Sequence, residues 1–450
     1  RLAEREVKRD EERDCAPGRE GRGDRVVDRR LMLQKPRRSR SPVVASAPWI
    51  PAGHGQNTGP ISSHKDKEVV VTTTPIQPRL KPIYPAYRLD DCVFRIGAQL
   101  GITAEFEDPE GHLWALVSAL DGRPLASVIS AVRDEFPELT EQDVLDGVEM
   151  LDNEGFLEET LPTEERSIGA RYRANVNFFS RFTGLAGDRF AAQCKLNAAN
   201  ILLLGLGGGG SNILTLLAGV GPKSITIVDH DVVEESNLGR QFLYRESDIG
   251  HSKASAAAAA MAGMNSEVKV RAHEQRISTV EDVAVLLDDI DLVISAIDEP
   301  PFVAQRLVNK AIVQAGVPCV FGASQVSRGR VFTVIPGETG CFDCLNVHYS
   351  QRDPQFVSQF SAFRDISFDP PSIAYGPAIF LLTATIVDEA VRVLSDYAPP
   401  RSLGTQFEVN FEDKSSFTHP SWPRLKELCP TCGEGDVRDW EIFSHYLQQV

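Results

Sequence analysis

Residues 201–231 read ILLLGLGGGGSNILTLLAGVGPKSITIVDHD: an apolar run, a glycine cluster, a helix-patterned segment, and a second apolar run that ends in acids. Neither apolar run alternates with polar residues, so each predicts a strand covered on both faces, as in a parallel sheet. Between them the glycines Gly205, Gly207, Gly208, Gly209 and Gly210 let the backbone turn tightly and approach a phosphate. That phosphate would rest on the unpaired N–H groups at the head of the next helix, beside Ser211. Asp229 closes the second strand 19 residues after Gly210, where it can bond a ribose hydroxyl, and Asp231 follows it. On its own, the stretch fits a dinucleotide cradle as well as a nucleoside triphosphate site.

Outward from this stretch, strand and helix patterns alternate. Strands are predicted at NILLLGL, SITIVDH, VKVRAHE, DLVISAI and PCVFGAS, with helices at SKASAAAAAMAGM and PPFVAQRLVNKAIVQAG between them. This is the pattern of an α/β domain, Rossmann-like, whose mostly parallel sheet has helices on both faces. RVFTVIP and TQFEVNFED read as added antiparallel strands, and YGPAIFLLTATIVDEAVRVLSD as a buried helix between them. The domain is assigned to 163–450.

Residues 1–86 mix charge runs with Pro, Gly and Ser and carry no sustained period, which predicts a disordered arm. The basic run Lys35–Arg40 reads as part of a solvated tail. In 87–162, three helix-period segments precede a GFLEE strand signal, and Thr140 with Asp143 marks a helix start. A small winged-helix-like domain is expected there. The chain carries 63 acidic against 47 basic residues, a net charge of −16, which argues against nucleic acid as a partner. No apolar run is long enough for a membrane span and no secretory signal is seen, so a cytoplasmic protein without membrane contact is expected.

After the second strand come Asn237, Arg240, Gln241 and Lys253, and the strand VISAID ends in Asp298. A hydride-transfer enzyme has no need of several cations near its phosphates, whereas a bound triphosphate does. Arg240 and Lys253 would neutralise charge on the phosphates, and Asp298 would hold the Mg²⁺ bridging them. The chemistry expected is attack of a carboxylate on the α-phosphate of ATP. Four cysteines form two CxxC pairs, Cys341 with Cys344 and Cys429 with Cys432. Four thiolates at this spacing suit structural tetrahedral Zn²⁺, the alternative being two reduced redox motifs. Neither Cys194 nor Cys319 is assigned as a nucleophile, since Cys319 lies within an apolar strand.

GLGGGGS, DHDVVEESNLGRQ, GHSK and the strand ending in Asp298, in that order, resemble the ThiF/MoeB adenylyltransferases, relatives of the ubiquitin-activating enzymes. The resemblance spans roughly 170–432. It implies adenylation of a C-terminal carboxylate by a homodimer using ATP and Mg²⁺, with Asp229 on the ribose, Arg240 and Lys253 on the phosphates, Gln241 and Asn237 in support, and Asp298 linked to Mg²⁺. Members also share the paired CxxC arrangement. The family's RYxRN element supplies an arginine to the partner's triphosphate; here RYRANVNFF has Ala174 in its place, which leaves Arg171 or Arg173 as substitutes. Asp298 is followed by Glu299 where Asn is common in the family.

The LW, LDG and EFP elements of 87–162 are similar to PqqD-like modules, which recognise leaders of ribosomally made precursor peptides by strand addition. Together the two resemblances point to the MccB-type peptide-modifying branch, with a precursor peptide bound through its leader. Two alternatives stand: an enzyme for a sulfur-carrier or ubiquitin-like protein, and an inactive leader-binding scaffold serving a partner cyclodehydratase.

Overall fold

The computed structural model describes residues 76–99, 103–160, 168–299, 302–365 and 373–444; residues 1–75 of the arm expected at 1–86 lie outside them. The chain divides into two units. The first comprises the described residues up to 160 together with Thr183–Arg189, and the second comprises 168–182 with 190–444.

In the first unit, strands β1 (Pro78–Leu80), β2 (Ala86–Arg88), β3 (Val93–Ile96) and β4 (Ala104–Glu107) precede helices α1 (His112–Ala119), α2 (Leu125–Glu135) and α3 (Glu141–Asn153), and β5 (Leu157–Glu159) closes it. The expected capped start of α3 is present: Asp143 N–H donates to Thr140 Oγ1 at 3.2 Å, and Thr140 N–H donates to Asp143 Oδ2 at 2.8 Å. Val144, Val148 and Leu151, spaced to share one face of α3, are buried with Val128 and Val132 of α2 against Phe94, Phe106 and Phe156. The boundary at 86 is corrected. β1 pairs antiparallel with β5, and β2–β3–β4 form a second antiparallel sheet, so 76–86 belongs to this unit. The proline-rich run hid this, because Pro78 occupies the first position of a short strand, where a missing N–H is tolerated.

The second unit runs α4 (Arg173–Phe179), α5 (Ala191–Ala198), β6 (Asn200–Leu204), α6 (Gly208–Val220), β7 (Ser224–Asp229), α7 (Lys253–Met264), β8 (Lys269–Glu274), α8 (Val280–Ala284), β9 (Leu292–Ser295), α9 (Val303–Ala315), β10 (Cys319–Ser324) and β11 (Arg328–Val334). It continues through α10 (Phe342–Arg352), α11 (Pro354–Asp365), α12 (Gly376–Ser395), β12 (Gln406–Asn410), β13 (Ser416–Thr418) and α13 (Glu441–Ser444). Eight strands form one sheet in the order β13-β12-β11-β10-β9-β6-β7-β8. The five from β10 to β8 run parallel; β11 and β12 are the expected antiparallel strands, and β13 adds a third that the sequence had not marked. One face packs Leu202, Val293 and Phe321 against Leu307 of α9 and Phe342 of α10; the other packs Leu203 and Ile227 against Leu217 of α6 and Ile386 of α12. From β6 the chain proceeds outward to β7 and β8, then crosses back to β9 on the other side of β6. The carboxyl ends of β6 and β9 therefore flank a crevice, the place where such sheets take ligands. Among the described residues no helix is long and apolar enough to cross a membrane.

Candidate active site

The glycine cluster leaves β6 at that crevice. Gly205 has φ +88°, and a Cβ there would stand 2.8 Å from the Ala296 carbonyl oxygen beyond β9. Gly210 is tighter: its Cβ would lie 1.8 Å from the Gly205 carbonyl oxygen. The turn therefore needs glycine at both ends. Gly210→Ala should lower stability by about 3 kcal/mol or more and weaken nucleotide binding at least tenfold. Urea unfolding checks the first and calorimetric titration the second; an unchanged midpoint would show that the loop adapts. Gly207 caps α6 with no side-chain hydrogen bond, and its first turn holds no acid. The N–H groups of Gly208, Gly209 and Gly210 face the crevice end of the helix with the positive end of its dipole.

The carboxylate of Asp229 holds this loop in shape. Its Oδ2 accepts the Leu206 N–H at 2.6 Å, and its Oδ1 accepts the Asp231 N–H at 2.8 Å. Tyr244 donates its hydroxyl to the Leu206 carbonyl at 3.0 Å. Burial, with Asp229 and Asp231 nearby, pushes the Tyr244 hydroxyl well above its ordinary pKa and keeps it a donor. Ser211, expected to face a ligand, is buried with Oγ donating to the Gly207 carbonyl at 2.7 Å.

Arg240 reaches the same loop: its Cδ and Nε lie 3.6 and 3.7 Å from where a Gly208 Cβ would stand. Its guanidinium donates to the Ser236 carbonyl at 2.9 Å. Asn237 is buried in the preceding turn, accepting the Glu234 N–H at 3.1 Å, and Gln241 is buried beside it. Lys253, at the head of α7, is buried and paired through Nζ with Asp231 Oδ2 at 2.9 Å. Burial pushes the Asp231 carboxyl up, but the hydrogen bond and charge of Lys253 outweigh it, leaving the pKa below the usual value. Asp231 is thus the counter-ion of Lys253 in this structure.

Asp298 follows β9 at the other side of the crevice and is exposed. Partial loss of hydration of its carboxyl, with repulsion from Glu299, raises its pKa. Arg171 is not brought to this cradle. It donates to the Met264 carbonyl at 2.9 Å, at the C-terminal end of α7, whereas Lys253 begins that helix. Arg173 is exposed at the start of α4.

Sequence reading missed Tyr244 and Asn212. The carboxamide of Asn212 donates to the carbonyls of Gly208 and Arg240, both at 2.9 Å. A polar residue amid SNILTLL was the available signal for Asn212; nothing marked Tyr244.

Cys341, Cys344, Cys429 and Cys432 converge, buried, with their sulfurs within 4.8 Å of one another. Cys341 to Cys429 is 3.5 Å, Cys344 to Cys432 is 3.3 Å and Cys341 to Cys344 is 3.9 Å. These separations are near the edge of about 3.8 Å in a tetrahedron with metal–sulfur bonds of about 2.3 Å. Backbone N–H groups of Leu425 and Thr431 donate to Cys344 and Cys429 at 3.3 and 3.4 Å. Between the first pair, Asp343 is gripped by Arg306 through bonds of 2.9 and 3.1 Å and by Thr431 Oγ1 at 2.7 Å, which orients both cysteine segments. Burial pushes the Cys319 thiol up, as for an inert core cysteine.

Comparison with known proteins agrees with this geometry. The ThiF family profile matches residues 172–431. The Bacillus subtilis sulfur carrier protein ThiS adenylyltransferase is 37% identical over 157 residues, 34% of this chain and 46% of that protein, so the match spans less than half of that relative. The Thermus thermophilus sulfur carrier protein adenylyltransferase is 37% identical over 264 residues, 56% of this chain and 90% of that protein. The structure of Escherichia coli MccB with AMPCPP and MccA superposes with a TM-score of 0.64 at 20% identity, covering 79% of this chain and 100% of that one. That share exceeds what residues 168–450 alone could supply, so the likeness of fold reaches into the first unit. A glycine loop at the switch point with Arg240 against it, a buried Lys253 paired with Asp231 and a four-cysteine cluster occur in one chain whose larger part matches the profile, and the chain belongs to the ThiF family.

Proposed function

We propose that the chain uses ATP to adenylate the C-terminal carboxylate of a ribosomally made precursor peptide, whose leader the first unit holds. The observation that carries this reading is the first unit itself: three helices and two small antiparallel sheets stand ahead of the adenylating domain in the same chain. The MccB structure, which holds AMPCPP and MccA and matches beyond the adenylating domain, supports it.

In this reading the amides heading α6 and the guanidinium of Arg240 hold the triphosphate, and Lys253 exchanges part of its pairing with Asp231 for a phosphate oxygen. The carboxylate needs no base, being ionised near pH 7. One of its oxygens attacks the α-phosphorus while the bond from that phosphorus to the bridging oxygen breaks, and pyrophosphate leaves with the electron pair. Positioning and charge neutralisation by fixed groups supply the rate. Asp298 offers the hard oxygen donor that suits Mg²⁺, an ion that would offset phosphate charge when bound. The four cysteines would hold structural Zn²⁺, tying residues 424–435 to the start of α10. In a homodimer, Arg173 is the arginine of the RYRAN element left to serve a partner's nucleotide, since Arg171 is engaged at Met264.

The sulfur-carrier relatives favour a second reading, adenylation of a small carrier protein. ATP/pyrophosphate exchange decides between them. Exchange that depends on an added precursor peptide is expected. Exchange only with a diglycine-tailed carrier would establish the second reading, and tight leader binding without any exchange would leave a scaffold.

A further inference from the structure

We propose that Asn212 is a positioning residue for Arg240, setting the guanidinium over the glycine loop without touching the nucleotide; the inference rests on the adenylating reading of this site. Asn212 is fully buried on α6, one turn inside the phosphate-facing end. Its Nδ2 makes two bonds of different reach. One, to the Gly208 carbonyl, stays within the helix, and the other crosses 28 residues of sequence to the Arg240 carbonyl. The turn carrying Arg240 is itself stiff: the N–H groups of Arg240 and Gln241 both donate to the Asn237 carbonyl, at 3.0 and 2.9 Å. Fixing one carbonyl of that turn therefore fixes where the Arg240 side chain starts, and its stem lies on Gly208, the other residue Asn212 holds. One carboxamide thus ties the floor of the cradle to the cation above it.

A second observation separates this from ordinary helix packing. Asn212 Oδ1 is buried with no hydrogen-bond partner among the described residues. Buried polar atoms left unpaired are uncommon and costly, and the neighbouring positions Ile213, Leu214 and Leu217 show that this helix accepts aliphatic side chains. The asparagine keeps an unsatisfied oxygen in order to place two donated bonds. Residues that sacrifice local satisfaction in this way gather at functional sites, where a fixed geometry matters more than stability.

The prediction is selective. In the adenylating reading Arg240 neutralises the phosphates beyond the first, so loosening it should weaken a triphosphate and spare a monophosphate. Binding of Mg·AMPCPP and of AMP to the full chain is measured by calorimetric titration. Asn212→Leu should weaken AMPCPP about tenfold, the size of about one well-made hydrogen bond, and change AMP by less than about twofold. Combined with Arg240→Ala it should add almost nothing, because the group it positions is gone. Asn212→Ala, smaller and with the same expected ratio, serves if the leucine variant does not fold. Equal weakening of both nucleotides, full additivity with Arg240→Ala, or an unchanged ratio would each overturn the inference while leaving the adenylating reading intact. A wild-type chain that binds neither nucleotide would overturn both.

Discussion

Asp298→Ala is expected to abolish peptide-dependent ATP/pyrophosphate exchange, by a factor of about 10³ or more, while leader affinity and the unfolding midpoint stay within error. The size follows from what would be removed. Asp298 stands after β9, across the crevice from the head of α6, and it is the sole acid on that side of the site besides Glu299 among the described residues of β9 and its exit. Charge-stabilising groups in such sites are commonly worth two to three orders of magnitude each, and losing a metal ligand removes the metal's share as well. Stability should hold because the carboxyl, with its raised pKa, gains nothing from folding in its charged form. Asp298→Asn, equal in size but uncharged, should be nearly as inactive. Exchange retained within tenfold in either variant would remove Asp298 from the mechanism.

The second large effect concerns the cysteine cluster. The purified chain should carry about one zinc per protomer by atomic emission, and Cys344→Ser should lower the unfolding midpoint by about 10 °C or more. The four sulfurs lie inside the same core as Phe342, Trp422, Ile442 and Phe443, so this is not a peripheral clip. Without a metal, burial and three neighbouring sulfurs hold the Cys341 thiol well above its ordinary pKa, and the cluster becomes four crowded polar groups in an apolar surround. The loss is smaller than in an isolated zinc finger, since the surrounding core organises much of the site. Metal-free protein with an unchanged midpoint would show that the thiols are merely packed.

The sequence made the large sheet legible because strands buried on both faces are continuous apolar runs. Ile201–Leu204, Leu292–Ile294 and Val320–Phe321 are entirely buried. The first unit was less legible. Its strands are only three or four residues long, so the alternation that β3 and β4 do carry, with Phe94, Ile96, Ala104 and Phe106 turned inward, is too brief to stand out from the surrounding sequence. The site divides in the same way. Glycines, cations and acids declare themselves by type, and the topology brings the loop, Arg240, Lys253 and Asp298 to one crevice. The partnerships do not: Asp231 with Lys253, Tyr244 with Leu206 and Asn212 with Arg240 join residues 22, 38 and 28 positions apart. The displacement of Arg171 has the same cause, since its partner is a backbone carbonyl, which no side-chain pattern announces.

Thr183–Arg189 belongs with the first unit although the chain on both sides of it belongs to the second. Within the first unit, the Leu185 N–H bonds Asp152 Oδ1 at 2.9 Å, and Arg189 pairs with Glu158, whose side chain is almost wholly buried. The two units are therefore interleaved along the polypeptide, and no single cut separates them. A fragment ending near residue 165 would keep Arg79 against Glu158 but lose Arg189, its second counter-charge, and the seven residues that complete its surface, so a failed leader-binding experiment with it would say nothing about the intact protein. Exchange of this module between relatives has to carry both pieces.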